Sequence, residues 1–324
     1  MKTRLAIAAA IAAGTALPLH AQTLSADFSA DYTVTDLGSV EGLPSNYGGL
    51  TFLDGNTLLI GGAANGASGS LYTVAVVRDA AQHITGFGGS ATRYGTSIGE
   101  YNDGGVVFGP GGVLFTSRWP VNELGQTKPG SSDEDKVIDL AALGVAGSHS
   151  AINFVPSGFG GAGQVKLVSY GGGQWYSGQL TPDGNGTYDL SGLVQIDLDL
   201  AQPGTQNVPG GPEGFVYIGA GNAGFAADSM LISEYGSGRI GAYAVDAEGN
   251  PLVATRREFM TGLSGAEGAT VDPLTGDFMF STFGGGSRIV VVSGFTPPVP
   301  EPSSLAMLLG GLAVCGWAAR RRSS

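Results

Sequence analysis

Glu213 and Glu267 stand at the same place in two similar strings, Pro-Glu-Gly and Ala-Glu-Gly. Asn102 and Asp103 occupy a related place before Gly104, and Asn46 one before Gly48. Each string opens an apolar run. If each run is a strand lining a common axis, Asp103, Glu213 and Glu267 converge near one end of that axis. Converging carboxylate oxygens are the ligand type of a hard cation, and calcium is the expected one. The plainer use of the same residues is hydrogen bonding between neighbouring structural units.

Other strings with a chemical look carry less. The pattern G-x-G-x-x-G begins at Gly158, Gly219 and Gly236, but 57 glycines in 324 residues produce roughly two such matches by chance, and none opens a helix after a strand. Gly95 to Gly99 matches the string around a hydrolase nucleophile, Ser97, without the helix that must follow it. Outside the N-terminal segment the histidines are His83 and His149, too few and too far apart for a zinc site. His149 is expected to be exposed or hydrogen-bonded, with an axial position as the alternative. Asp183 to Asp189, DGNGTYD, spaces oxygens like a calcium loop, but Tyr188 replaces the glycine and Val194 the closing glutamate, so a hairpin turn is expected. The run SSDEDK, Ser131 to Lys136, is expected to be a solvated loop. Trp119 and Trp175 could stack on sugars or pack inside the fold.

The elements that must position these residues are short apolar runs separated by Gly, Asn, Asp and Pro, with no extended 3.6-residue period, so an all-β fold is expected. A pattern of glycine, apolar run, turn and second apolar run recurs. Aligned on Phe52, Phe108, Phe154, Tyr217 and Val271, its copies lie 56, 46, 63 and 54 residues apart. That spacing predicts a β-propeller of five or six blades, the sixth hidden between Phe154 and Tyr217, with a β-sandwich or jelly roll as the competing architecture. The segment from Asp31, DYTVTDLGSVEG, is expected to supply the outer strand of the last blade and close the ring.

The ends differ from the body. Lys2 and Arg4 precede an uncharged stretch from Leu5 to Leu17, which predicts a signal peptide over 1–21, a signal helix cut between Ala21 and Gln22. The propeller is expected over 23–296. At the other end, Val299-Pro300-Glu301-Pro302 precedes an apolar segment and then Arg320, Arg321 and Arg322. A transmembrane helix from Ser303 to Ala319 would be roughly 25 Å long, enough to span a thin bilayer with the arginines inside. Excluding both ends leaves ten basic against 26 acidic residues, a net charge of −16, which argues against nucleic acid and anionic membranes as partners. The sole cysteine, Cys315, lies in the tail, so the body must be held by core burial without disulfides.

The tail over 297–324 resembles the PEP-CTERM sorting signal of Gram-negative bacteria in its proline motif, apolar helix and arginine cluster, in that order. The same tail also circulates under an ice-binding label, which says nothing about ice here. The resemblance implies recognition by an exosortase after export through the Sec translocon, transient anchoring in the inner membrane, excision of the helix and delivery to the cell surface or exopolysaccharide matrix. A plain C-terminal anchor is the alternative. In the body, Pro212-Glu213-Gly214 resembles the Glu-Gly by which six-bladed propellers of the SMP-30 and gluconolactonase group hold a metal, although it falls late in this chain and the group's remaining ligands and base are not placed. Two functions follow as expectations: a non-enzymatic binding module for matrix glycan or another surface component, and a calcium-dependent hydrolase or lactonase.

Overall fold

The computed structural model describes residues 22–198 and 207–296. Its strands form five antiparallel sheets, each the blade of a propeller, so the sixth blade allowed for between Phe154 and Tyr217 does not form among these residues. The inner strands are Leu50–Asp54, Asn102–Phe108, His149–Phe154, Pro212–Ile218 and Ala266–Val271, in blades 1 to 5. Each inner strand packs on the next, and the fifth returns to the first. All five alignment residues of the repeat fall in these strands.

Closure uses the N-terminal segment as expected. Thr33–Gly38 pairs antiparallel with Ile289–Ser293 as the outer strand of blade 5, whose other strands come from the far end of the body. Thr23–Leu24 adds to the edge of blade 4 against Arg257–Thr261. Between these attachments Phe28 and Tyr32 pack with Phe225, Phe259 and Phe295, with centroids 4.9 Å apart for Phe28–Phe259 and 4.3 Å for Tyr32–Phe295.

The core is split into five clusters, one between each pair of adjacent blades. Successive side chains of a strand point to opposite faces, and here both faces are covered. In Ser229–Glu234, Met230 and Ile232 face blade 3 while Leu231 faces blade 5. In Phe278–Thr282, Phe278 and Phe280 join the cluster shared with blade 4, and Met279 the one shared with blade 1. This is why these strands read as unbroken apolar runs. Trp175 is fully buried in the cluster between blades 3 and 4 and donates to Asn250 Oδ1 at 3.2 Å, so it packs and does not stack on a ligand.

The DGNGTYD segment is a hairpin turn: the Asp183 carboxylate accepts from the Asn185 amide and from Lys136 Nζ, both at 2.8 Å. The acidic loop departs from its expected solvation at Glu134, whose side chain is buried against the Arg118 guanidinium and the Thr116 hydroxyl. Burial raises the Glu134 pKa and Arg118 opposes the rise.

Candidate metal centre

The structure brings Asp103, Glu213 and Glu267 together from blades 2, 4 and 5, with one carboxylate oxygen of each within 4.8 Å of the others. Their exposures are 1%, 4% and 0%. Each sits where its inner strand breaks register with the neighbouring strand, between Asn102 and Val106, Pro212 and Phe215, and Ala266 and Ala269. A bulge there re-aims one side chain, which directs an acid at the axis without disturbing the apolar alternation that follows. The glycine after each acid makes room. A Cβ on Gly104 would lie 2.8 Å from Glu213 Oε2 and 2.8 Å from the Gly214 nitrogen, so a methyl there would fill the space held by the Glu213 carboxylate.

Asp103 Oδ2, Glu213 Oε2 and both Glu267 oxygens are buried without a hydrogen-bond donor. Asn65, with its amide nitrogen turned toward the axis, donates to Asp103 Oδ1 at 2.8 Å. Among the described residues no Lys, Arg or His forms an ion pair with any of the three acids. Burial pushes the Asp103 carboxyl up to about 7. Burial first, and then the neighbouring carboxylates, hold Glu213 and Glu267 well above the usual carboxylate range. The interblade hydrogen bonding given as the plainer use is therefore incomplete, because four oxygens lack donors.

The same end of the axis carries a feature that sequence reasoning missed. Ser169, Glu234 and Thr282 pair with the first residues of their inner strands, and each is followed by an aromatic residue: Tyr170, Tyr235 and Phe283. Trp119 follows Arg118 at the equivalent place in blade 2. All four rings are half-buried. Tyr235 meets Tyr170 edge-on at 5.6 Å and Phe283 at 6.0 Å, so the three form a continuous rim. Burial and the charges of Glu267, Tyr170, Glu213 and Asp103 raise the Tyr235 pKa, which places the rim within the field of the acid cluster. The available signal was an aromatic-Gly-x-Gly string repeated at Tyr170, Tyr235 and Phe283.

Toward the other ends of the inner strands the axis holds a cavity of about 210 Å³, with Thr51, Asn153, Tyr217 and Thr270 among its lining. That lining includes no carboxylate, imidazole, thiol or amine. Ser97 meets Glu100 at 3.5 Å and, among the described residues, bonds to no histidine. His83 is bound to Asp277 at 2.6 Å across the seam between blades 1 and 5.

His149 is neither exposed nor well bonded, contrary to the expectation. It is fully buried at the start of the blade 3 inner strand, its ring nitrogens lack a well-directed partner, and burial pushes it down to about 4, with only the nearby Val168 carbonyl opposing. Because protonation favours the unfolded chain, with its ordinary pKa near 6.5, this residue's contribution is intact above that value and is lost as pH falls toward 4. The wild type is therefore expected to lose about 2–3 kcal/mol more than His149→Gln between pH 7 and pH 4. Urea unfolding of both proteins across that range checks this; parallel curves would contradict it.

The fold and axis define a five-bladed β-propeller with a closed carboxylate cluster beneath an aromatic rim. Residues 298–322 match the PEP-CTERM protein-sorting motif, so the chain carries the signal of exported, transiently membrane-anchored proteins processed by an exosortase. Ala21 and the motif residues Val299, Pro300, Glu301, Pro302, Arg320, Arg321 and Arg322 lie outside the described residues, as do both expected terminal helices. Among the described residues no helix is long and apolar enough to cross a membrane. No curated protein matches the chain. Similar solved structures include a Myxococcus xanthus glutaminyl cyclase (15% identity, TM-score 0.45, covering 81% of this chain and 95% of that one). An auxiliary nutrient binding protein from Bacteroides ovatus is 12% identical with a TM-score of 0.43, covering 81% of this chain and 76% of its own. A PQQ-bound aldose sugar dehydrogenase from Streptomyces coelicolor is 12% identical with a TM-score of 0.36, covering 79% and 83%.

Proposed function

We propose that this is an exosortase-sorted surface or matrix protein whose propeller is a non-enzymatic binding module for a neutral glycan, seated on the rim of Tyr170, Tyr235, Phe283 and Trp119. The sorting motif carries the delivery half of this reading. The rim supports the binding half: half-buried rings at matching positions of several blades offer flat apolar faces with polar edges, suited to the faces of sugar rings. A body charge of −16 disfavours polyanionic ligands and leaves neutral polysaccharide as the fitting class. The full chain is expected to bind neutral exopolysaccharide on a glycan array, and Tyr235→Ala to weaken binding about tenfold or more by loss of a stacking face. Absence of binding to any neutral glycan would refute the binding role. Intact mass of the extracellular form tests delivery separately, since retention of Leu305 to Ser324 contradicts excision.

The alternative, a calcium-dependent hydrolase or lactonase, rests on Asp103, Glu213 and Glu267. It requires substrate to reach a cation held there, and the burial of all three carboxylates weighs against that access. Turnover of a lactone by the wild type, abolished in Glu213→Gln, would favour it over the binding module.

A further inference from the structure

We infer that Asp103, Glu213 and Glu267 form a structural calcium site, a buried ionic cross-link tying blades 2, 4 and 5 at the axis. The cluster differs from a surface acidic patch in two respects. Glu267 is completely buried, both of its oxygens lack a donor, and one of them lies within 4.8 Å of an oxygen of Asp103 and of Glu213. The second is the Gly104 cradle, which keeps the Glu213 carboxylate in that space and which any side chain at 104 would close.

Three carboxylates desolvated together cannot all remain ionised without a counter-charge, because both burial and mutual repulsion disfavour the charged forms. Two neutralising agents are available in water: protons and cations. Asp103 and Glu267 approach closely enough to share a proton, but one shared proton leaves Glu213 Oε2 and a Glu267 oxygen unpartnered. A divalent cation among the three satisfies all of these oxygens at once. Calcium suits a closed carboxylate site: it takes oxygen ligands at about 2.3–2.6 Å in flexible geometry, whereas magnesium demands a near-ideal octahedron and dehydrates reluctantly, keeping several waters. One oxygen from each carboxylate already lies within 4.8 Å of the other two, so the three are gathered around one common space. With its ligands drawn from blades 2, 4 and 5 and closed from solvent, the ion would hold the ring together and leave the rim above it to bind. This inference stands apart from the glycan reading, since the cluster and the rim involve different residues.

The test uses the full chain, stripped with chelator and exchanged into chelator-free buffer at pH 7.5. On adding calcium, the protein is expected to retain one ion per chain by elemental analysis. At a hundredfold excess over the Kd its Tm is expected to rise by about 5–10 °C. Magnesium at the same concentration should produce a much smaller rise. Glu213→Gln preserves size and removes one repelling charge, so its metal-free form is expected to melt no lower than the metal-free wild type, while its calcium Kd rises at least tenfold. Glu267→Gln, read in the same way, covers the case in which the first variant does not fold. Failure to retain calcium, a Tm indifferent to it, or an equal response in the variants would overturn the site. A metal-free Tm that instead falls as pH rises, with no calcium effect, would assign the cluster to a shared proton.

Discussion

Replacing Arg78 by methionine is expected to lower unfolding free energy by about 3–5 kcal/mol, because it leaves a fully buried carboxylate without its partner. Arg78 leaves the third strand of blade 1 and meets Asp272, just past the inner strand of blade 5, with two contacts of 2.6 and 3.0 Å. Their side chains are 7% and 0% exposed. The same guanidinium donates twice to the Gly55 carbonyl, so the arginine clasps two hairpins across the seam where the ring closes. His83 and Asp277 reinforce that clasp. Urea unfolding measures the effect, and Arg239→Met is its control. Arg239 and Glu258 also form an ion pair, but at 47% and 36% exposure, so that change should cost less than about 1 kcal/mol. Similar losses in the two variants would show that burial at the seam is not what gives the Arg78 pair its weight.

The second large effect is expected from a single methyl group. Gly214→Ala would place a Cβ 2.5 Å from the Ala269 nitrogen, 2.7 Å from the Gly268 carbonyl carbon and 2.8 Å from the Glu267 carbonyl oxygen. All three atoms are backbone of the next inner strand, so no side chain can swing away and the strands must separate. The cost is expected to be about 3 kcal/mol or more, as for overpacking against rigid neighbours. Gly219→Ala is the contrast, since its Cβ would meet nothing within 4 Å and its effect should be within about 1 kcal/mol. Calorimetric unfolding of the two variants decides the point. A mild Gly214→Ala would mean that the inner strands are not in backbone contact.

Much of the architecture was legible because it is written in local patterns. Apolar runs such as FMF and IVVV, broken by Gly, Asp and Pro turns, mark strands whatever surrounds them, and their recurrence marks blades. The closing role of the segment from Asp31 was legible too, since the last repeat otherwise lacked an outer strand. Glu213 and Glu267 were recognisable as equivalents by position in the repeat, and Asp103 as a near-equivalent. The limits appear at single residues. Glu134 reads as one acid among several in a charged loop, yet Arg118 draws it inside. His149 reads as an ordinary polar strand start, and is sealed. Lys166 lies in an apolar run, and its buried ammonium is satisfied by Gln164, Ser177 and Asn250, each at 2.8 Å. The rim escaped notice because its aromatic-Gly-x-Gly string was submerged in a glycine-rich sequence.

Side-chain alternation and turn chemistry act over a few residues, and so the chain alone determined its strands, its repeat and its sorting tail. Which polar groups are stripped of water, and which of them meet, depends on residues far apart in the chain: Arg78 and Asp272 are 194 positions apart, and the three axial acids come from three blades. Only ring closure brings them together and removes the water, and with it decides that the acids share one buried space.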